Sequence, residues 1–343
     1  MTDKQALGFI KLIQNGKETL HDKYTAEIKE IDDVKEENID LEDRIHKYEN
    51  DVETKILPYK PFIMRLDGNG FSKCTKHLKK PFDINFTYAM VTVLGELLSR
   101  YHATTGYTHS DEITLIFKPA CTKESYDNKT NVNIHLFNGR LQKLVSEISS
   151  YTAVRFNYYM SKLISDSDKY DSKTRILFSS FHQNFDARII LFPDDKPGEI
   201  INHMIWRSII DCRRNAISTY AREYFSHKEL MNKNSKMMIE MMKTKGFDWD
   251  TVPIYNQHGI YAKKEQYEGD AINQKTGEKV KCIRDKIVYK SFKIHYSDDM
   301  LELLFAQYWN TSIGDISKTE GLDNTENLKI DTTSSVFIPF INP

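Results

Sequence analysis

Two short segments contain acids that could do chemistry together. The first is Asp67-Gly68-Asn69-Gly70-Phe71. A carboxylate at a strand end can hold Mg²⁺, and the following Gly68 carbonyl can add a second oxygen ligand. The glycines let backbone N–H groups turn inward around phosphate oxygens. The same string also reads as an ordinary Asp-Gly turn. The second segment, Ser110-Asp111-Glu112, reads either as an exposed hairpin tip or as a second carboxylate for the same chemistry. Asp67 and Asp111, beside a glycine turn and the lysines Lys73, Lys76, Lys79 and Lys80, would form a two-metal phosphoryl-transfer constellation. One ion would activate a hydroxyl nucleophile; the other would hold a triphosphate and its leaving pyrophosphate. A third set is Trp206-Arg207, Asp211 and Arg213-Arg214-Asn215. Arg207, Asp211 and Arg214 are four and three residues apart and so share a helix face. They read as a surface salt-bridge ladder or as guanidinium contacts to RNA phosphate. His77, His182 and His258 have no ligand spacing and read as structural or surface histidines.

The elements that must position these groups follow from periodicity. Residues 61–67 read as a strand ending in the Gly68-Asn69-Gly70 turn. Residues 83–100 repeat apolar side chains at three and four (Phe86, Ala89, Met90, Val93, Leu94, Leu97, Leu98), which predicts a helix with one buried face. Residues 104–109 and 113–118 read as a hairpin joined by Ser110-Asp111-Glu112. Residues 136–164 read as a second helix, with Leu141, Leu144, Val145, Ile148, Phe156 and Tyr159 inward. Residues 185–192 read as a strand closed by Pro193. Strand, helix, strand, strand, helix, strand is the split βαβ order, an α+β, ferredoxin-like (βαββαβ) arrangement with both helices on one face. Its first and third strands are neighbours, so Asp67 and Asp111 can meet at one end of the sheet.

Further on, residues 199–225 predict one long helix, and Ser226 with Glu229 has capping-box spacing for another. Gly246 is expected to stop a helix rich in Met237, Met238, Met241 and Met242. Residues 253–296 alternate like strands around a Lys275-Thr276-Gly277 turn, residues 297–309 predict a capped helix, and a polar, surface-draped tail follows from residue 310.

Composition limits the function classes. The chain has 343 residues, 48 Lys+Arg against 49 Asp+Glu, a net charge of -1, and 12% aromatic side chains. This core material excludes collagen-like and globally disordered chains. No run of about 18 apolar residues suits a membrane span. The opening Met1-Thr2-Asp3-Lys4 has no basic-then-apolar leader, so the expected compartment is the cytoplasm, with the mitochondrion as the alternative. Cys74, Cys121, Cys212 and Cys282 are far apart and read as free thiols. The charge is uneven. Residues 26–55 hold 12 acidic and 5 basic groups, which leaves the remainder at +6. Near-neutrality therefore does not exclude RNA. The acidic segment reads as a solvated helix or as a cover for the basic body.

In order and spacing, several motifs coincide with a known family. Arg65-Leu66-Asp67-Gly68-x-Gly70-Phe71, Lys80-Pro81-Phe82-Asp83, Ser110-Asp111-Glu112 and Trp206-Arg207…Asp211…Asn215 resemble the tRNA-histidine guanylyltransferase family, most of all its guanylyltransferase-like branch. Leu41-Glu42-Asp43-Arg44 with Tyr48-Glu49, and Phe225 to Leu230, support that branch, and the resemblance covers residues 41–265. It implies a polymerase-type palm, with helical and small β elaborations, that adds nucleotides to an RNA 5′ end in the 3′–5′ direction. It further implies catalytic Asp67, Asp111 and Glu112. Two Mg²⁺ ions would be held by Asp67, Asp111 and the Gly68 carbonyl. Nucleotide contacts would come from Arg65, Lys80, Ser110 and the backbone of Asn69, Gly70 and Phe71. RNA contacts fall to Arg207, Arg213, Arg214, Asn215 and Lys228.

The implied partners are tRNA and nucleoside triphosphates, ATP or GTP, in a homotetramer with no membrane. The implied chemistry is activation of a 5′-monophosphate by ATP, attack by the 3′-hydroxyl of an incoming nucleotide, and pyrophosphate removal. Three positions depart from the family pattern: Arg213-Arg214-Asn215-Ala216 replaces His-x-Asn-Asn, Asn69 replaces a basic residue, and His109 replaces a Gln. The first favours templated 5′ repair over dedicated tRNA-histidine guanylation. That narrower guanylyltransferase, a nucleotide cyclase on a similar palm and a non-catalytic RNA-binding module are the competing readings. The expected organisation is an acidic extension (1–55), a catalytic palm (56–195), a helical and β-rich RNA-binding and assembly region (196–309) and a tail (310–343).

Overall fold

The computed structural model describes residues 40–165 and 167–309, and the backbone of 323–324. Most of the acidic segment and of the tail lies outside the described residues. The chain divides into two units, residues 1–53 and 54–343. In the first unit, helix α1 (Leu41–Asp51) is capped by Asp40 and buries none of its side chains.

The second unit is built on one antiparallel sheet. Strand β1 (Phe62–Gly68) leads through a helical turn, Phe71–Thr75, to helix α2 (Ile84–Tyr101). Asp83 caps α2 by accepting from the N–H groups of Asn85 and Phe86. All seven apolar positions expected to face inward on α2 are buried. Strands β2 (Thr105–His109) and β3 (Glu112–Phe117) make the expected hairpin, with a tighter turn of Ser110 and Asp111 alone. Ser110 holds φ 54°, the left-handed conformation a two-residue turn demands.

The predicted second helix starts later than expected. Phe137 and Asn138 adopt positive φ, so a turn at Leu136–Gly139 precedes helix α3 (Leu141–Ser165). A shorter helix, α4 (Ser172–Ser179), leads to strand β4 (Phe185–Leu191). The four palm strands lie in the order β4-β1-β3-β2. This is the ferredoxin-like order, with Phe62, Met64 and Leu66 of β1 packed in one core with buried residues of α2 and α3.

The opposite face is covered by chain from beyond the palm. Helix α5 (Glu199–Ile205) passes through a π-helical stretch, Trp206–Cys212, into helix α6 (Arg213–Ala221). The single uninterrupted helix expected there is corrected by this π segment. Ser208 Oγ donates to the His258 carbonyl (2.7 Å), 50 residues away. Pairing that cannot be seen locally therefore accompanies the altered winding.

Glu229 accepts from the N–H of Ser226 (2.8 Å), as its capping-box spacing predicts, although the helix it starts, His227–Leu230, lasts one turn. Helix α7 (Ser235–Thr244) gives way to Gly246 at φ +81°. Residues 254–258, expected to be strand, form a helical turn that stops at Gly259 (φ +79°). Strands β5 (Ile260–Ile272) and β6 (Lys279–Ser291) then extend the palm sheet, because β5 pairs with β2 through Gly106, Tyr107 and Thr108. The two long strands of the region expected at 196–309 thus share one sheet with the palm. Helix α8 (Asp298–Phe305), capped by Ser297, contributes Met300, Leu303 and Leu304 to the second core with Ile63, Ile116, Ile200 and Met204.

Candidate functional site

Asp67 and Asp111 are brought together by sheet register. Asp67 stands opposite Glu112 of β3, and the N–H of Gly68 donates to the Asp111 carbonyl (3.0 Å). On the other flank Asp67 stands opposite Asp186 of β4. Three carboxylates in a row would repel one another. Arg65 offsets this by donating to Asp67 Oδ2 (2.9 Å) and Glu112 Oε1 (2.5 Å), and Arg188 pairs with Asp186 (2.9 Å). Asp111, in the turn, accepts from Ser110 Oγ (3.1 Å). Burial pushes the Asp111 carboxyl above the usual aspartate range, and the Asp67 charge adds to the push.

Glu112 is held from both sides. Arg207, only 4% exposed, pairs with it and, through the other amino group, with Asp211 (2.9 Å). Asp211 also pairs with Arg214. A chain of alternating charge therefore runs Asp67–Arg65–Glu112–Arg207–Asp211–Arg214 from β1 through β3 to the helix above. The Arg207–Asp211–Arg214 face expected from spacing is present, but its first two members are buried and not a surface ladder. Burial and the Arg65 charge draw Arg207 down from the usual arginine range, and Asp211 opposes them.

Beside this chain lies a cleft of about 390 Å³. Ser110, Asp111, Glu112, Arg207, Asp211 and Asn215 line it together with Ser72, Phe82, Tyr107, His109, Ser218 and Arg222. The Phe82 ring lies 5.5 Å from that of His109. His109 is held near the Asn256 carbonyl (3.2 Å), and burial lowers it to about 4, so it is neutral at physiological pH.

The other expected residues fall elsewhere. Phe71 is a core anchor, its ring 5.0 Å from Phe185 and 5.2 Å from Phe156. This anchor fixes the glycine turn: a Cβ on Gly68 would lie 2.6 Å from the Phe71 ring, and Gly70 needs its φ of +68°. The Asn69 N–H is taken by the Asn184 carbonyl (3.0 Å), which narrows the expected phosphate cradle to the Gly70 and Phe71 N–H groups. Lys80 and Lys228 are exposed and outside the cleft lining. Arg213 lies over the Trp249 ring (5.7 Å). Of the expected RNA contacts, Arg207 is thus committed inside the site, while the Arg214 side chain is 63% exposed. Sequence reasoning missed Ser72, Tyr107, Asp186, Ser218, Thr219 and Arg222. The last three follow Asn215 at helical spacing and could have been found by extending its face. Among the described residues, no three His, Cys, Asp or Glu side chains form a metal cage.

A split-βαβ palm whose first strand and hairpin turn each deliver a carboxylate to one end of the sheet, beside a cleft large enough for a nucleotide, defines a palm-type nucleotidyltransferase. Residues 42–193 match the family described as Thg1: tRNAHis guanylyltransferase. Protein R259 of Acanthamoeba polyphaga mimivirus is 36% identical over 274 residues, spanning 79% of this chain and 91% of that protein. The chain belongs to the Thg1 family, as its motifs led one to expect. Among solved structures, a bacterial tRNA(His) guanylyltransferase (Thg1)-like protein in complex with ATP is similar, with a TM-score of 0.53, 29% identity, and coverage of 65% of this chain and 87% of that one. A bacterial Thg1-like protein in complex with GTP gives a TM-score of 0.51 and 26% identity over 72% of this chain and 90% of that one. Among the described residues no helix is long and apolar enough to cross a membrane.

Proposed function

We propose that this chain adds nucleotides to the 5′ end of truncated tRNA in the 3′–5′ direction, templated by the opposite strand of the acceptor stem. The observation that carries the reading is the meeting of Asp67 and Asp111 through the Gly68 N–H···O=C Asp111 bond, at the edge of the polar cleft.

The donor set there fits Mg²⁺. Two carboxylates and the Gly68 carbonyl are hard oxygens. Burial, with the Asp67 charge beside it, raises the Asp111 carboxyl, a cost that a bound cation would relieve. Asp67, Asp111 and the Gly68 carbonyl would hold two such ions. When bound, they supply charge neutralisation and a more acidic attacking 3′-hydroxyl.

The chain's own groups then have distinct tasks. Ser110 holds the Asp111 carboxylate through its hydroxyl. Arg65 fixes Asp67 and Glu112 relative to each other. Glu112, tied to Arg65 and Arg207, orients the site and is not free to serve as a ligand. The Gly70 and Phe71 N–H groups face the triphosphate, and Phe82 with neutral His109 offers a stacking wall for a base. ATP activates a 5′-monophosphate end and any nucleoside triphosphate that pairs with the template is added, so the protein need not read base identity. Arg213 stacked near Trp249 and buried Ala216 stand where dedicated guanylation has His and Asn, which favours repair. We further infer a homotetramer acting in the cytoplasm.

The test is to incubate 5′-truncated tRNAs with the four nucleoside triphosphates and Mg²⁺. Template-matched extension is expected. A folded protein that gives none refutes the reading. Guanosine added only to full-length tRNA-histidine would indicate the narrower guanylyltransferase, and a cyclic product from nucleotide alone would indicate a cyclase.

A further inference from the structure

Phe82 reaches the cleft from a loop and not from the sheet. It stands just before α2, with its ring 5.5 Å from that of His109 and 5.9 Å from that of Tyr220. A side chain on a loop is only as well placed as the backbone that carries it. What fixes this loop is the next residue, Asp83, which is 6% exposed. Its carboxylate accepts from four donors. The N–H groups of Asn85 (2.9 Å) and Phe86 (3.3 Å) are the ordinary cap of α2. The other two go beyond capping. The N–H of Lys79 donates to Oδ2 (3.0 Å), which closes the Lys79–Asp83 loop on itself. The Tyr170 hydroxyl donates into the fork between the two oxygens (2.9 and 3.0 Å), from 87 residues further along the chain.

Tyr170 is itself held. It lies in the short connection from α3 to α4, with its ring packed against the core shared by β1, α2 and α3. Arg175 of α4 donates to the carbonyls of Tyr170 (3.1 Å) and Ser167 (2.9 Å). Asp171 caps α4 by accepting from the Thr174 N–H (2.7 Å). The connection is therefore a strap. One end is fixed to α4, and the Tyr170 hydroxyl is fixed to the loop that carries Phe82. Neither Tyr170 nor Arg175 lines the cleft.

We propose that Tyr170 is a positioning residue for nucleotide binding: through Asp83 it fixes Phe82 where a base stacks. The proposal rests on the reading of this cleft as the nucleotide site and of Phe82 as its base wall. The strap acts on the base alone and leaves the triphosphate contacts and the acids at Asp67 and Asp111 as they are.

Equilibrium binding of ATP and of inorganic triphosphate, each with Mg²⁺, separates the base from the phosphates. Tyr170→Phe removes one oxygen and keeps the ring in the core. Stacking on an aromatic side chain is worth about fivefold to a hundredfold in affinity per base. A wall that is loosened but still present loses part of this, so the Kd of ATP should rise about three- to tenfold. The Kd of inorganic triphosphate, which has no base, should not change. In the extension assay the KM for nucleotide should rise while kcat holds. In a Phe82→Ala background the same substitution should add nothing further, because its target is gone. Arg175→Gln, which loosens the other end of the strap, should repeat the pattern more weakly. Equal losses for ATP and inorganic triphosphate, an unchanged Kd for ATP, or a fully additive loss in the Phe82→Ala background would overturn the proposal. Selective loss of ATP affinity in a protein that extends no RNA would leave the strap standing and remove only the polymerase reading.

Discussion

Replacing Arg207 with methionine tests whether the buried charge chain holds the site together. Methionine keeps much of the apolar volume and removes the guanidinium. Breaking a buried ion pair from one side costs about 3–5 kcal/mol, because the remaining charge stays buried without compensation. Here two carboxylates lose a partner, Glu112 at 19% and Asp211 at 10% side-chain exposure. Each keeps a second one: Glu112 retains Arg65 at 2.5 Å, and Asp211 retains Arg214, whose exposed head is weakened by solvent screening. The expected loss therefore sits at the lower end, about 3 kcal/mol. Adding Glu112→Gln removes one of the stranded charges, so the double variant should recover about 1 kcal/mol or more relative to additivity. Urea unfolding at pH 7 measures both, and Trp206 fluorescence reports on the region directly because its ring lies 4.8 Å from the Arg207 guanidinium. A loss below about 1 kcal/mol, with an additive double variant, would refute the buried chain as a stabilising unit.

Two further predictions follow from the same geometry. Asp67→Asn and Asp111→Asn should each lower nucleotidyl transfer by about a thousandfold while the melting temperature holds, since each removes charge that would neutralise Mg²⁺ at the reacting phosphate. Rates near wild type would remove these acids from the mechanism. His109 is lowered from 6.5 to about 4, chiefly by burial. The folded state therefore binds fewer protons than the unfolded one between these values. The stability this gives is fully present above pH 6.5 and is lost as pH falls toward 4. His109→Gln should flatten that acid limb by about 3 kcal/mol, and urea midpoints between pH 4 and 7 that match wild type would contradict it.

Local signals made the palm legible. The three-and-four spacing from Phe86 to Leu98 and the hairpin around Ser110-Asp111 left little freedom in the order of strands and helices, and that order puts β1 beside β3. What stayed hidden depends on distant backbone. The π-helical stretch carries no composition signature, and Ser208 finds its acceptor at His258. The joining of β5 to the palm through only Gly106, Tyr107 and Thr108 is equally non-local. Residues 253–258 alternate as a strand would, yet Pro253 at the cap and Gly259 at positive φ enclose a helical turn. The polar stripe beyond Asn215 was missed for a different reason. Ser218, Thr219 and Arg222 share a helix face with Asn215, but small hydroxyls carry no chemical signal of their own, and the cleft is what shows that they line it together with Ser72.

The Ser110-Asp111-Glu112 motif shows why adjacent acids cannot be given roles from sequence. Both residues could have been ligands. Asp111 belongs to the turn, where its carbonyl meets the Gly68 N–H and its carboxylate feels the Asp67 charge. Glu112 is the first residue of β3, and register sets it opposite Asp67 on the face that carries Arg65. One step along the chain separates a site shaped for a cation from one already filled by two guanidinium groups. The row Asp186–Asp67–Glu112 would be unstable without Arg188, Arg65 and Arg207 interleaved among its members. The arginines thus let the sheet hold an acid-rich edge before any ion arrives. Because they take up Asp186 and Glu112 and Arg65 also reaches Asp67, the carboxylate left without a guanidinium partner at this edge, among the described residues, is Asp111.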